Sequence, residues 1–234
     1  MNSKFSFLIV FLMLAACSKK ITLPDGSKSP SPMENSEKIT YLALGDSYTI
    51  GESVAERERW PVQLAEALNE MGFKVANPKI IAKTGWTTAD LLRAMEQGTG
   101  QEKYDLVSVL IGVNNQYQGL SISEYEEDLR VIFEKAINLS SQGKNGVFVL
   151  SIPDYGTTPF GASNAEEIGK EIEKFNAVLR MVAEDFDLPF YNITPISKKA
   201  KTQPDLVADD GLHPSGKMYR LWVEEIIDEV IVLL

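Results

Sequence analysis

Two rhythms alternate along this chain. Short unbroken apolar runs recur, and each is followed by a stretch whose apolar positions fall three and four residues apart. The runs at 39–44, 79–82, 105–111, 147–150 and 189–193 are short and mostly rich in β-branched or aromatic residues, so they predict strands. The intervening periodicity predicts helices. One covers 61–71, with Val62, Leu64, Ala65 and Leu68 on one face, Pro61 in its first turn and Gly72 at its end. A second is capped by Thr88, carries Leu91, Leu92 and Met95, and closes at Gly98. A third covers 123–139, with Ser123 and Glu126 as a capping box. Two more cover 165–186 and 217–234. Five strand–helix repeats call for a parallel sheet with helices on both faces. Such sheets bind ligands beyond the carboxyl ends of their strands. A candidate site must therefore draw its residues from positions just after strands.

The N-terminal segment follows neither rhythm. Lys4 precedes an apolar run at 5–14, which leads into Leu14-Ala15-Ala16-Cys17. A bilayer-spanning helix needs about 20 residues, so residues 1–16 read as an export signal. The small residues before Cys17 resemble the lipobox of bacterial lipoproteins. That resemblance implies removal of the signal, lipidation of Cys17 and a membrane anchor at the cell envelope, periplasmic or on the outer surface. Residues 18–38 are rich in Ser, Pro and Lys and read as a flexible linker. Residues 39–234 have the length of one domain, with no internal repeat. Cys17 is the only cysteine, so a disulfide within the chain is impossible. The formal charge of −10 argues against nucleic acid as a partner.

Four positions satisfy the strand-end condition: Ser47 in Gly45-Asp46-Ser47, Gly85 in Lys83-Thr84-Gly85-Trp86-Thr87, Asn114 in Gly112-Val113-Asn114-Asn115, and the pair Asp210 and His213 ahead of the last helix. His213 is the only histidine in the chain. A serine hydroxyl becomes an effective nucleophile when a base takes its proton. His213 can be that base, and Asp210, three residues earlier, can fix its tautomer. Backbone N–H groups at Ser47 and Gly85, with the Asn114 amide, can form an oxyanion hole. Taken singly, each element has a plainer explanation: Gly-Asp-Ser as a turn, Asp209 and Asp210 as caps of the last helix, a lone histidine as packing. Their order along the chain, each after a strand, favours acyl transfer. Asp46, Asp154, Asp209, Asp210 and His213 can also be gathered as metal ligands, but one histidine and one lipidated cysteine make a poor transition-metal set.

At these residues the chain resembles the SGNH, or GDSL-type, esterase/lipase family. The family's serine, glycine and asparagine match Ser47, Gly85 and Asn114, and its Asp-x-x-His pair matches Asp210 and His213. The resemblance implies a three-layer α/β/α sandwich of flavodoxin-like type with a five-stranded parallel sheet, a Ser-His-Asp triad, and neither cofactor nor metal. Two positions depart from the pattern. Tyr48 stands in place of the namesake leucine, which bears on packing or the pocket rim. Asn115 stands where aspartate is common. The expected substrate is an acyl ester with a short chain, an O-acetyl glycan or a lipid. The alternatives are a lysophospholipase or thioesterase for longer chains, and a silent glycan-binding module. Tyr155, Pro159 and Phe160 are expected to border the site. Trp86, Tyr117, and Trp60 with Arg59 offer stacking surfaces, although Trp60 reads more readily as a core residue at a helix start. Oligomeric state has no signature in the sequence.

Overall fold

The computed structural model describes residues 38–98, 100 and 102–234. Five parallel strands form one sheet in the order β2-β1-β3-β4-β5. They are β1 (Tyr41–Gly45), β2 (Lys79–Ala82), β3 (Leu106–Leu110), β4 (Val147–Leu150) and β5 (Phe190–Tyr191). Among the described residues eight α-helices accompany them: α1 (Ser47–Ile50), α2 (Trp60–Glu70), α3 (Thr88–Gly98), α4 (Val113–Tyr117), α5 (Ile122–Leu139), α6 (Ala165–Asp185), α7 (Thr194–Ser197) and α8 (Gly216–Ile231). Helices α2 and α8 pack on each other, while α3, α5 and α6 form a row through α5. The sheet lies between these two layers. Every residue of β1, β3 and β4 is buried, as expected for strands covered on both faces. This is the predicted α/β/α architecture.

The strand order reverses direction between β1 and β3. That switch point opens a crevice at the carboxyl edge of the sheet. The segments carrying Ser47 and Asn114 leave from these two strands.

Several element ends differ from the sequence expectation. Helix α5 starts at Ile122, one residue before the expected Ser123, and its cap is Ser121, whose hydroxyl accepts from Glu124 N–H at 3.4 Å. The Ser-x-x-Glu pattern occurs twice in overlap here, and the earlier copy is the one used. Thr87 rather than Thr88 closes the start of α3, in a reciprocal pair with Asp90. The Thr88 hydroxyl instead donates to Asp128 at 2.5 Å. Ser215 caps α8, accepting from Met218 N–H, so Asp209 and Asp210 are free of that task. Strand β5 is two residues long. Just beyond it the Ser151 hydroxyl receives Ile193 N–H and Thr194 N–H and donates to Asn192, which ends strand pairing. Trp60 is fully buried and meets Phe148 edge-on at 6.5 Å. It is a core residue and offers no stacking surface.

The proposed signal, Cys17 and nearly all of the linker lie outside the described residues. Among the described residues, no helix is long and apolar enough to cross a membrane.

Candidate active site

Chain direction reverses abruptly after β1. A Cβ at Gly45 would fall 2.3 Å from the Leu110 carbonyl oxygen and 2.2 Å from Thr49 Oγ1, so only glycine permits this close approach. Asp46 then caps α1: its Oδ1 accepts Tyr48 N–H at 3.0 Å, and its carbonyl accepts the N–H groups of Thr49 and Ile50. Ser47 is the first residue of that short helix and is nearly buried, at 4% exposure. Asp46 itself is fully buried, and its second oxygen has no hydrogen-bond partner among the described residues. Burial pushes its carboxyl up to about 7, against the opposing pull of backbone N–H groups at Tyr48 and Gly112. Tyr48 packs edge-on against His213 at 5.7 Å and against Trp222 at 6.4 Å. The departure from leucine therefore places an aromatic ring beside the imidazole.

After β2 the chain makes a tight turn, with Trp86 N–H donating to the Lys83 carbonyl at 3.2 Å. Gly85 occupies its third position at φ +84°, the left-handed conformation that a type II turn requires there. Nothing stands within 4 Å of where its Cβ would be, so the backbone conformation and not crowding selects glycine. After β3, Asn114 Nδ2 donates to the Trp86 carbonyl at 2.9 Å, which leaves its second N–H available. Asn115 is buried and binds Thr88 twice, through its Nδ2 to Oγ1 and its Oδ1 from N–H. The unusual asparagine thus docks the start of α3 onto α4.

Asp210 and His213 lie on a tight loop ahead of α8. His213 Nδ1 is 2.6 Å from Asp210 Oδ2, while Oδ1 accepts the N–H groups of Leu212 and His213, each at 2.9 Å. Ser53 Oγ adds a further bond to Oδ2 at 2.6 Å. Partial burial works to raise the Asp210 carboxyl. The bonds from Ser53, the imidazole and the two backbone groups outweigh it and hold the carboxyl well below the usual range. Asp209 is exposed and has no bond to the imidazole among the described residues. With Nδ1 committed to Asp210, Nε2 is the ring nitrogen that remains. Ser47 Oγ makes no hydrogen bond with His213 among the described residues; such contacts commonly tighten only in the substrate complex.

Ser47, Gly85, Asn114 and His213 line one cavity of about 170 Å³. Tyr48, Thr84, Val113, Tyr117, Tyr155, Phe160 and Leu212 complete its wall. Tyr155 and Phe160 therefore border the site as expected. Pro159 and Trp86 are not in the wall, though Trp86 serves it through its carbonyl. Thr84, Val113 and Leu212 carry no chemistry that a sequence pattern would reveal; adjacency to Gly85, Asn114 and His213 is their only signal. Among the described residues no group of three or more His, Cys, Asp and Glu side chains is placed to hold a metal ion. Asp154 instead accepts from Gly156 N–H and lies 3.9 Å from Lys198.

A doubly covered parallel sheet of five strands, with a serine and a histidine in a small cavity beyond its strand ends, has the form of a hydrolase of three-layer α/β/α architecture. Residues 43–221 match the GDSL-like Lipase/Acylhydrolase family, and the chain belongs to that family. It is a carboxylic ester hydrolase, an esterase or acylhydrolase of the GDSL/SGNH type. It is 27% identical over 205 residues to an arylesterase of Vibrio mimicus, covering 84% of this chain and 89% of that one. It is 28% identical over 142 residues to a multidomain esterase of Ruminococcus flavefaciens, covering 58% of this chain but only 17% of that protein's length. The crystal structure of TesA superposes with a TM-score of 0.66 at 20% identity, covering 83% of this chain and 99% of that one.

Proposed function

We propose that this protein hydrolyses short-chain acyl esters with Ser47 as nucleophile, His213 as general base and Asp210 as its orienting partner. The observation that carries this reading is the 2.6 Å contact of His213 Nδ1 with Asp210, made at the wall of the cavity that also receives Ser47. In the first step Ser47 Oγ attacks the acyl carbon and its proton passes to His213 Nε2. The negative charge moves to the former carbonyl oxygen. Ser47 N–H, Gly85 N–H and Asn114 Nδ2 donate to it there, each such donor contributing about 10²–10³ in rate. The C–O bond then breaks, and His213 returns the proton to the departing alcohol. A water molecule repeats the sequence on the acyl-serine and frees the carboxylic acid.

The size of the cavity supports a short acyl group. At about 30 Å³ of liquid volume per water, 170 Å³ is room for about six atoms of carbon or oxygen size, which fits an acetyl to butyryl group. The aromatic rings at its mouth support a cyclic leaving alcohol, aryl or pyranose. Tyr117 and Phe160 are half exposed, with centroids 6.1 Å apart, and Tyr155 lies 6.2–6.3 Å from both. This reading includes residues 1–16 as a removed signal, residues 17–38 as a tether from lipidated Cys17, and residues 39–234 as the catalytic domain held at the cell envelope.

An acyl series from acetate to palmitate tests the function, with Ser47→Ala as control. Hydrolysis of nitrophenyl acetate should be abolished in Ser47→Ala, and the rate should collapse beyond about four carbons. Full activity in Ser47→Ala, or a preference for palmitate, would reject it. Cys17→Ala should release the protein from membranes; unchanged membrane association would reject the tether.

A further inference from the structure

We infer that Ser53 is a positioning residue for the acid–base pair, holding the Asp210 carboxylate where it orients His213. The inference rests on the reading of His213 as the base. Ser53 Oγ donates at 2.6 Å to Asp210 Oδ2, the same oxygen that faces His213 Nδ1. The other bonds to this carboxylate come from Leu212 and His213, within its own loop. They fix Asp210 relative to that loop alone. Ser53 comes from the segment after α1, 157 residues away in sequence. Among the described residues it is the only partner outside its own loop that this carboxylate has, and it ties the loop of the base to the segment of the nucleophile.

Two further observations separate this contact from a chance meeting of surface side chains. Ser53 sits at φ +65°, a left-handed conformation that disfavours residues with a Cβ. Glycine would occupy it more readily but would carry no hydroxyl. The backbone is thus held in an unfavourable state at the residue whose side chain reaches Asp210. The preceding residue makes the complementary contact: the Glu52 carboxylate accepts from Thr84 Oγ1, next to Gly85. Consecutive side chains therefore strap the segment after α1 to the proposed oxyanion loop on one side and to the base loop on the other.

Ser53→Gly in the full chain tests this, because it removes the hydroxyl while suiting the backbone conformation. The kcat for nitrophenyl acetate should fall about tenfold, the size expected for one charge-assisted hydrogen bond. KM and the melting temperature should stay at wild-type values. The Nδ1–H proton resonance should also move. It is assignable without ambiguity because the protein has a single imidazole. Wild-type kcat with an unmoved resonance would overturn the inference. So would a loss of kcat that tracks a lower melting temperature while the resonance stays in place, since that would assign Ser53 to loop stability alone. Ser47→Ala keeps the two readings apart. Hydrolysis surviving in that variant rejects the serine mechanism itself, whereas abolished hydrolysis beside a fully active Ser53→Gly rejects only the role of Ser53.

Discussion

The Asn114 side chain donates to the carbonyl oxygen of Trp86 at 2.9 Å, joining the segment after β3 to the turn after β2. One side chain thus supplies a proposed oxyanion donor and braces the turn that carries another. Asn114→Ala should lower kcat for nitrophenyl acetate by about 10²–10³, with a smaller effect on KM. Asn114→Asp should be at least as damaging, since it sets a negative charge where negative charge develops. Steady-state kinetics of both variants checks this, and a wild-type kcat in Asn114→Ala would remove the residue from the oxyanion hole.

Asp210 and Asp209 are adjacent acids with opposite expected importance. Asp210→Asn should cut kcat by about 10⁴, as in other triads whose aspartate is replaced. Asp209→Asn should stay near wild type. The hydrogen bonds that hold Asp210 below the usual carboxylate range keep it ionised throughout the range where histidine titrates. A pH–rate profile in mild acid should therefore carry no limb from Asp210, and a limb assignable to its protonation would overturn this reading.

Asp46 makes a prediction about stability rather than rate. Its carboxyl lies near 7 in the fold, above the ordinary value of 3.8. The fold therefore favours the protonated form. The stability linked to this group is fully present below about pH 4 and is lost as pH rises through about 7. The penalty at alkaline pH is at most about 4 kcal/mol for a shift of this size. Asp46→Asn keeps an oxygen for Tyr48 N–H and removes the titration. Its melting temperature should gain on wild type between pH 4 and pH 8, and a constant gap across that range would show that Asp46 does not titrate as described.

Removing the rim rings should change which esters are hydrolysed. Tyr117→Ala and Phe160→Ala should raise KM for aryl esters several-fold, with the kcat for ethyl acetate nearly unchanged. Equal losses on both substrates would deny the rings a role in holding the alcohol.

The strands are legible in the sequence because short apolar runs buried on both faces leave no other arrangement. Ser47, Gly85, Asn114, Asp210 and His213 are legible as candidates because the parallel topology sends each of them to one edge of the sheet. The remaining features depend on contacts without a local signature. Two overlapping Ser-x-x-Glu patterns compete for the start of α5, and only packing selects Ser121. Strand β5 stops early because Ser151, from another strand's end, captures the backbone beyond it. Ser53 follows no periodicity; its position depends on a left-handed backbone and on a partner 157 residues away.

Phe160 anchors its segment to the base loop through the backbone: its N–H donates to the Gly211 carbonyl at 3.0 Å. The ring has no part in that bond. Position 160 can therefore exchange side chains while the loop beneath the imidazole keeps its support. On the proposed mechanism, selectivity and chemistry are separable inheritances in this molecule: a lineage, or a saturation library at this codon, would wander among esters without revisiting the residues proposed to cleave them.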